Sequence, residues 1–183
     1  MKHRPDFLII SGNGRNTGKT SYACRVISKI SSSFPITAIK VSPHFHPDRN
    51  SSNIILSEEN FMICRENEPD GNKDSSRMLQ AGARKVYYIE TTDGHLEKAM
   101  TVLLENIGVE GPVICESGGM RKLVEPSLFL LLKLTGQTDM KPGFLKCSPL
   151  ANSILNFDGN DFDLPPEYVE YDGSRWFIKS IET

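Results

Sequence analysis

Residues 7–21 read FLIISGNGRNTGKTS, and much of the architecture of the chain follows from this segment. It opens with four consecutive apolar residues, 7–10, bounded by polar ones. Such a short apolar run is typical of a strand that is buried on both faces of a parallel sheet. A glycine-rich turn comes next, and over residues 19–30 apolar side chains recur at helical spacing. The segment therefore predicts a strand, a tight turn and a helix.

Further along the chain, apolar runs extend this pattern into an α/β fold. Residues 36–41, 85–90, 112–115 and 128–134 are predicted strands, and residues 75–81 and 94–106 are predicted helices. Residues 152–157 fit either an edge strand or a short helix that leads into one. Strands that alternate with helices predict three layers, with a mostly parallel sheet in the middle.

Two β-hairpins are predicted outside this alternating pattern. The polar stretch 42–74 is too long for a structureless loop, and it contains two β-prone runs, 53–56 and 61–65. Near the end of the chain, Asp172-Gly173 lies between β-prone runs, and both residues tolerate the positive φ angles of a hairpin turn. For 183 residues we expect a single domain over 1–183, with an insertion at 42–74 and a C-terminal hairpin at 165–183.

Composition narrows the class of protein. Hydrophobic residues make up 38% and charged residues 24%, which is ordinary for a globular chain, and a net charge of -2 argues against a broad nucleic-acid surface. No apolar run reaches the roughly 18 residues of a membrane span. The four cysteines are widely spaced and form no CxxC pair, so we expect reduced thiols in a cytoplasmic protein.

The turn after the first strand has the composition of a phosphate-binding loop. Its glycines let the backbone turn tightly and direct N–H groups at phosphate oxygens, and the helix start adds about half a positive charge. Lys19 would reach the β- and γ-phosphates, and the hydroxyl of Thr20 would coordinate magnesium. We therefore predict a P-loop NTPase fold that binds GTP or ATP with Mg²⁺ through Gly12, Asn13, Gly14, Arg15, Asn16, Thr17, Gly18, Lys19, Thr20 and Ser21.

The loop departs from the common spacing G-x-x-x-x-G-K-S/T. That pattern requires glycine at position 13, where this chain has Asn13 with a glycine on either side. Asparagine is the non-glycine residue that best tolerates a left-handed backbone, so we expect Asn13 to replace the glycine in that conformation. Arg15 is either a solvent-exposed side chain or a cation that stabilises charge on the γ-phosphate, across a dimer interface in one version of the hypothesis.

Other charged residues are predicted at the same edge of the sheet. Glu116 ends the strand 112–115 and would bind the metal, since phosphoryl chemistry needs a carboxylate near Mg²⁺. Lys40 ends the second strand and would contact the triphosphate or an acidic substrate. Asp74 precedes a helix and is either its N-cap or a catalytic group that contacts metal-bound water or acts as a base. Lys19, Asp74 and Glu116 are thus the candidate catalytic residues, and a solvated side chain is the alternative for Lys40 and Glu116.

These segments together resemble the MobB-type molybdopterin-guanine dinucleotide biosynthesis proteins, which are GTP-binding P-loop proteins. The segment from Lys73 to Ala83, which reads KDSSRMLQAGA, is the most specific part of the likeness. The other parts are the loop from Gly12 to Thr20, the stretch Ala38-Ile39-Lys40 that leads to His44 and His46, and the apolar strand that ends at Glu116.

The resemblance implies a helper role in molybdenum cofactor biosynthesis. Members of that family form homodimers, bind GTP, hydrolyse it slowly, and assist a nucleotidyltransferase partner that attaches GMP to molybdopterin. By the same resemblance, Thr20 and Glu116 hold the magnesium, and Lys40, His44 and Asp74 line the nucleotide or molybdopterin side. The prediction of GTP rather than ATP rests on the resemblance alone, since the chain has no Asn-Lys-x-Asp motif that recognises guanine.

Two other hypotheses stay open. The longer loop and the glycines after Glu116 are also similar to dethiobiotin synthetase, which implies an ATP-dependent enzyme that acts on a small acid; the segment from Lys73 to Ala83 argues against it. A nucleotide-gated adaptor without turnover is the third hypothesis. His44 and His46, in a proline-flanked loop, would bind a metal only with further ligands, so a surface or substrate-contacting role is favoured for both.

Overall fold

The computed structural model describes residues 1–43 and 53–180. Its strands are β1 (Lys2–Gly12), β2 (Thr37–Ser42), β3 (Ile54–Glu58), β4 (Phe61–Arg65), β5 (Lys85–Thr91), β6 (Val113–Glu116), β7 (Val124–Leu134), β8 (Ser153–Phe157), β9 (Val169–Tyr171) and β10 (Trp176–Ile178). Its α-helices are α1 (Lys19–Ile30), α2 (Asp74–Gln80), α3 (Leu96–Thr101) and α4 (Pro142–Cys147). The helix α3 continues in wider, π-helical turns over Val102–Gly108.

Eight strands form one sheet in the order β3-β4-β5-β2-β6-β1-β7-β8. The strands from β5 to β8 in this order are parallel, and β4 and β3 add antiparallel at the edge beyond β5. The mostly parallel α/β sheet predicted from the sequence is therefore confirmed. Residues 152–157, for which two structures were open, form the edge strand β8.

Helices cover both faces of the sheet, because the central strands are apolar on both. Phe7, Leu8, Ile9 and Ile10 of β1 are fully buried, and alternate side chains point into two separate cores. The first core contains the apolar stripe of α1 and one residue of α2, Met78. The second contains buried residues of α3 and α4. The result is an α/β/α arrangement of three layers.

Both predicted hairpins are present. The strands β3 and β4 pair from Glu58 and Phe61 onward, so the turn between them contains two residues. In the second hairpin, β9 and β10, the carboxylate of Asp172 accepts hydrogen bonds from the backbone N–H groups of Ser174 and Arg175. These hydrogen bonds, and one from the Ser174 hydroxyl, lower the pKa of Asp172 to about 2. The hairpin packs against the first core through Trp176, whose indole N–H donates to the backbone oxygen of Asp6 at 2.8 Å.

The sheet brings the carboxyl ends of its central strands together. The strand β6 lies between β1 and β2, and its last residue, Glu116, is in register with Ile10 on one side and Lys40 on the other. The loop after β1 and the start of α1 lie at this same edge. Parallel α/β sheets bind ligands at the carboxyl ends of their strands, so this edge is where a site is expected.

Candidate functional site

The loop between β1 and α1 turns through three residues with positive φ. They are Gly14 at 105°, Asn16 at 59° and Gly18 at 77°. Two of the three are glycine and the third is asparagine, which are the residue types that adopt this region most readily. Gly18 directly precedes the helix, and its carbonyl accepts the first helical hydrogen bond, from the N–H of Tyr22 at 2.8 Å.

The left-handed conformation predicted for Asn13 is wrong, while its predicted place among the nucleotide-binding residues stays a prediction. Within the described part of the chain, Asn16 is the only non-glycine residue with positive φ, and Asn13 is not in the left-handed region. The side chain of Asn13 is instead buried, with an exposed fraction of 2%. Its amide donates to the backbone oxygen of Asp139 at 2.7 Å and accepts from the N–H of Lys141 at 2.8 Å. Asn13 therefore anchors the start of the loop to residues 139–141.

Asn13→Ala is expected to lower the free energy of unfolding by about 1–3 kcal/mol, because it leaves a backbone donor and a backbone acceptor beside a buried site without partners. Urea denaturation followed by circular dichroism measures the change. Asn67 is the matched control, since its exposed side chain has, within the described residues, a single hydrogen bond, to the side chain of Asn53, and Asn67→Ala should stay within about 0.5 kcal/mol of the unaltered protein. Equal losses in the two variants would show that the anchor contributes nothing.

Close packing excludes side chains at two of the loop glycines. A Cβ on Gly12 would lie 2.7 Å from the backbone oxygen of Leu132, and one on Gly18 would lie 2.7 Å from the ring of Phe162. Phe162 stacks on Phe157 and meets the ring of Tyr22 edge to face. These aromatic rings therefore form a wall against the end of the loop.

The loop presents unpaired donors to the space in front of it. Among the described residues, none accepts a hydrogen bond from a backbone N–H between Arg15 and Ser21. The ammonium of Lys19 folds back over the same turn and donates to the carbonyl of Gly14 at 2.5 Å and the hydroxyl of Thr17 at 3.2 Å. Backbone amides without an acceptor, in a turn that leads into a helix, are suited to binding an anion.

The charge of Lys19 is not neutralised by an ion pair. No carboxylate in the described part of the chain lies within ion-pair distance of its ammonium. Burial lowers the pKa of Lys19, and the more distant Glu116 only partly offsets that effect. A desolvated cation beside unpaired amides gains free energy when an anion binds between them.

Glu116 is the centre of a compact group of charged and polar side chains. Its carboxylate is 3% exposed and accepts hydrogen bonds from the hydroxyl of Thr20 at 2.7 Å and from the ammonium of Lys40 at 2.5 Å. The same ammonium lies 2.8 Å from the carboxylate of Asp74. The structure therefore brings together four of the residues predicted for the site.

The protonation of this group follows from its contacts. Burial alone lowers the pKa of Lys40, but Glu116 and Asp74 outweigh it, and the pKa of Lys40 is raised. Burial alone raises the pKa of Asp74, but the hydrogen bond and the charge of Lys40, together with contributions from Thr20 and Arg77, outweigh it, and the pKa of Asp74 is lowered. Lys40 is thus a cation that bridges two carboxylates at neutral pH.

The group contains oxygen atoms of the kind that bind Mg²⁺, but among the described residues no set of three or more His, Cys, Asp or Glu side chains could hold a metal ion by itself. Mg²⁺ prefers carboxylate and hydroxyl oxygens and is held in proteins by one or two carboxylates together with phosphates. Thr20 and Glu116 were predicted as its ligands, and their oxygens already lie in contact. Lys40 supplies the positive charge between the carboxylates of Glu116 and Asp74, which is the charge that a bound metal would otherwise supply.

Asp74 is not the N-cap of α2. It is the first helical residue, and Lys73 precedes it as the cap. A carboxylate in the first turn of a helix still interacts favourably with the helix dipole. The other predicted role of Asp74, at the metal or as a base, stays a prediction.

Glu66 fixes the start of α2, and the sequence analysis did not single it out. Its buried carboxylate accepts hydrogen bonds from the hydroxyl of Ser75 at 2.6 Å and from the backbone N–H groups of Asn67 and Glu68. Burial alone raises the pKa of Glu66, but these hydrogen bonds outweigh it, and the pKa is lowered. Because Ser75 adjoins Asp74, Glu66 helps to hold Asp74 against Lys40. A glutamate directly after a strand was visible in the sequence, but its partner depends on where the hairpin lies.

Several residues border the site without joining the central group. The guanidinium of Arg77 donates to the hydroxyl of Ser21 at 3.1 Å, which links α2 to the first turn of α1. Arg15 is exposed on the loop. His44 and His46 lie outside the described residues, so the structure has no bearing on the predictions made for them.

A cleft of about 1060 Å³ connects these elements. The loop and the start of α1 line one end, α2 lines a side, and residues of β4 and β5 line the other end.

Comparison with family models, with curated proteins and with solved structures gave no match to this chain. Within the described residues, no helix combines the length and the apolar composition needed to cross a membrane.

Proposed function

We propose that this protein is a P-loop nucleoside triphosphatase that binds its nucleotide with Mg²⁺ on residues 12–21. The observation that carries the proposal is the set of backbone amides between Arg15 and Ser21 that have no acceptor among the described residues. The ammonium of Lys19, which has no ion-pair partner in the same part of the chain, folds back over this turn. Both features favour a multiply charged anion at the start of a helix. The position at the carboxyl ends of parallel strands is where such a ligand is expected.

In this proposal, different residues of the site bind the nucleotide, bind the metal and assist hydrolysis. The loop amides hold the β-phosphate, and the ammonium of Lys19 exchanges its contact with the carbonyl of Gly14 for the β- and γ-phosphates. Thr20 and Glu116 would hold Mg²⁺, which would supply charge neutralisation at the triphosphate. Lys40 would contact the γ-phosphate, and Asp74 would orient the attacking water or accept its proton.

For the biological role we propose a GTP-binding accessory protein of molybdopterin guanine dinucleotide synthesis, with slow GTP hydrolysis. The segment from Lys73 to Ala83 is the most specific part of the resemblance to MobB-type proteins, and its Asp74 contacts Lys40 directly. That contact supports the proposal, because Lys40 also contacts Glu116 at the site proposed for the nucleotide. A homodimer and a nucleotidyltransferase partner belong to the same proposal, and a cytoplasmic location accompanies it.

Nucleotide identity tests the proposal most directly. Isothermal titration calorimetry with Mg²⁺ and GTP, in parallel with ATP, should show tighter binding of GTP, and released phosphate should accumulate slowly, at well below the roughly 1 s⁻¹ that marks the low end of typical enzymes. Rapid turnover of ATP with none of GTP would favour an ATP-dependent enzyme similar to dethiobiotin synthetase. Absence of heat with either nucleotide would overturn the P-loop proposal itself.

A further inference from the structure

The floor of the cleft continues well beyond the group around Glu116. Cross-strand register places Glu116 beside Lys40, Lys40 beside Tyr88, and Tyr88 beside Cys64. Paired residues point to the same face of a sheet, so these four side chains form one row across β6, β2, β5 and β4. With strands about 4.8 Å apart, the row extends about 14 Å from Glu116 toward the hairpin.

A triphosphate on the loop would not fill this space. Its phosphates would lie over residues 12–21 and end at Thr20 and Glu116, so the part of the cleft above Tyr88 and Cys64 lies beyond the terminal phosphate. The whole cleft measures about 1060 Å³, at the top of the range of about 300–1000 Å³ for pockets that hold one ligand. The cleft therefore has room for a second molecule.

The charge of the cleft indicates what kind of molecule this is. The chain as a whole has a net charge of -2, yet the described residues that line the cleft include more cations than carboxylates. A magnesium–triphosphate complex brings a net charge of only about -2, which leaves part of the positive charge unmatched. The carboxylates are Glu66, Asp74 and Glu116, and the cations are Arg15, Lys19, Lys40, Arg65, Lys73 and Arg77.

Lys73 is one of the cations that line the cleft, on the side formed by α2. It lies at the start of α2, lines the cleft and is exposed. In the ranges 1–43 and 53–180 it has no ion-pair partner. Tyr88 and Cys64 line the same cleft and make its floor there partly apolar. We propose that this outer compartment, between α2 and the strands β4 and β5, binds a small organic anion as a second substrate beside the γ-phosphate.

The inference rests on the proposed nucleotide site, so the test begins with that site filled. The protein is saturated with Mg²⁺ and the non-hydrolysable analogue of whichever nucleotide it binds, and is then titrated with succinate and, separately, with glycerol 3-phosphate. We expect heat from at least one of these probes. Lys73→Ala should weaken that binding by about fivefold, and Lys73→Glu should weaken it further, because an exposed ionic contact contributes about 1 kcal/mol.

Two controls and one further variant separate the possible outcomes. Nucleotide affinity should stay within about twofold in the Lys73 variants, since Lys73 does not contact the loop. Lys146→Ala, at an exposed lysine on α4 that does not line the cleft, should leave binding of both probes unchanged. Tyr88→Ala should weaken the probe that binds, because it removes the floor of the compartment.

Failure of this inference can be told apart from failure of the proposed function. If the unaltered protein binds no nucleotide, the proposed function is wrong and the inference fails with it. If the nucleotide binds but neither probe does, or if probe binding survives Lys73→Glu and Tyr88→Ala unchanged, the second-substrate compartment alone is disproved.

Discussion

Lys19→Ala is expected to weaken binding of the magnesium–nucleotide complex by about 100-fold or more. The ammonium of Lys19 would donate to two phosphate groups in a partly desolvated site, and each hydrogen bond to a charged group contributes about 1.5–3 kcal/mol. Titration calorimetry with GTP and ATP measures the loss. Lys146→Ala, remote from the loop, should bind the nucleotide as the unaltered protein does.

The same variant should behave differently without nucleotide. Lys19 is desolvated there and lacks an ion pair, so its removal costs little, and the free energy of unfolding should fall by no more than about 1 kcal/mol. Chemical denaturation checks this value. Loss of affinity with retained stability is the signature of a binding group, whereas retention of affinity within about tenfold would contradict the role of Lys19.

Lys40→Met is expected to destabilise the nucleotide-free protein by about 3–5 kcal/mol. The variant removes the cation between Glu116 and Asp74. Glu116 is nearly inaccessible to water, so its carboxylate is left buried, and the hydroxyl of Thr20 is then its one hydrogen-bond partner in the described part of the chain. Breaking a buried ion pair from one side carries a cost of this size. Urea denaturation in the presence of EDTA measures it.

Magnesium should then recover part of the stability that Lys40→Met loses. Two carboxylates and a hydroxyl without their cation form an oxygen-rich site, so Mg²⁺ should raise the melting temperature of the variant more than that of the unaltered protein. Lys29→Met is the matched control, because Lys29 also bridges a carboxylate, Glu170 at 2.7 Å, and backbone carbonyls, but far from the cleft. A magnesium response in both variants, or in neither, would show that the carboxylates do not form a metal site.

Local sequence predicted the centre of the fold well because the signals there are local. The apolar run 7–10 and the helical spacing over 19–30 depend only on neighbouring residues, and β1 and α1 contain them. The full length of β1 was not predicted, because its first residues, from Lys2, pair with β7 from Val124 onward. Pairing between residues so far apart in the chain leaves no periodicity in either segment.

The candidate site was also predicted only in part, because some of its contacts depend on residues far apart in the chain. Lys40 and Glu116 were predicted at one sheet edge because each ends an apolar strand, and parallel topology then brings strand ends together. The tether from Asn13 to residues 139–141 was missed, since its partners are backbone groups more than 120 positions away, which the sequence does not mark. Glu66 was missed for a similar reason, because the position of the hairpin decides which side chain its carboxylate reaches.

The aromatic wall against Gly18 determines which fragments of this chain can keep the shape of the loop. Phe157 and Phe162 come from the last quarter of the sequence, yet they pack on Gly18, the residue just before α1. Arg25 on α1 is tied to the same tail through Asp161 and Glu167. A fragment that stops after β7 keeps every residue of the loop but loses the surface that shapes it, so the loop-bearing half is not a portable module for fusion or truncation.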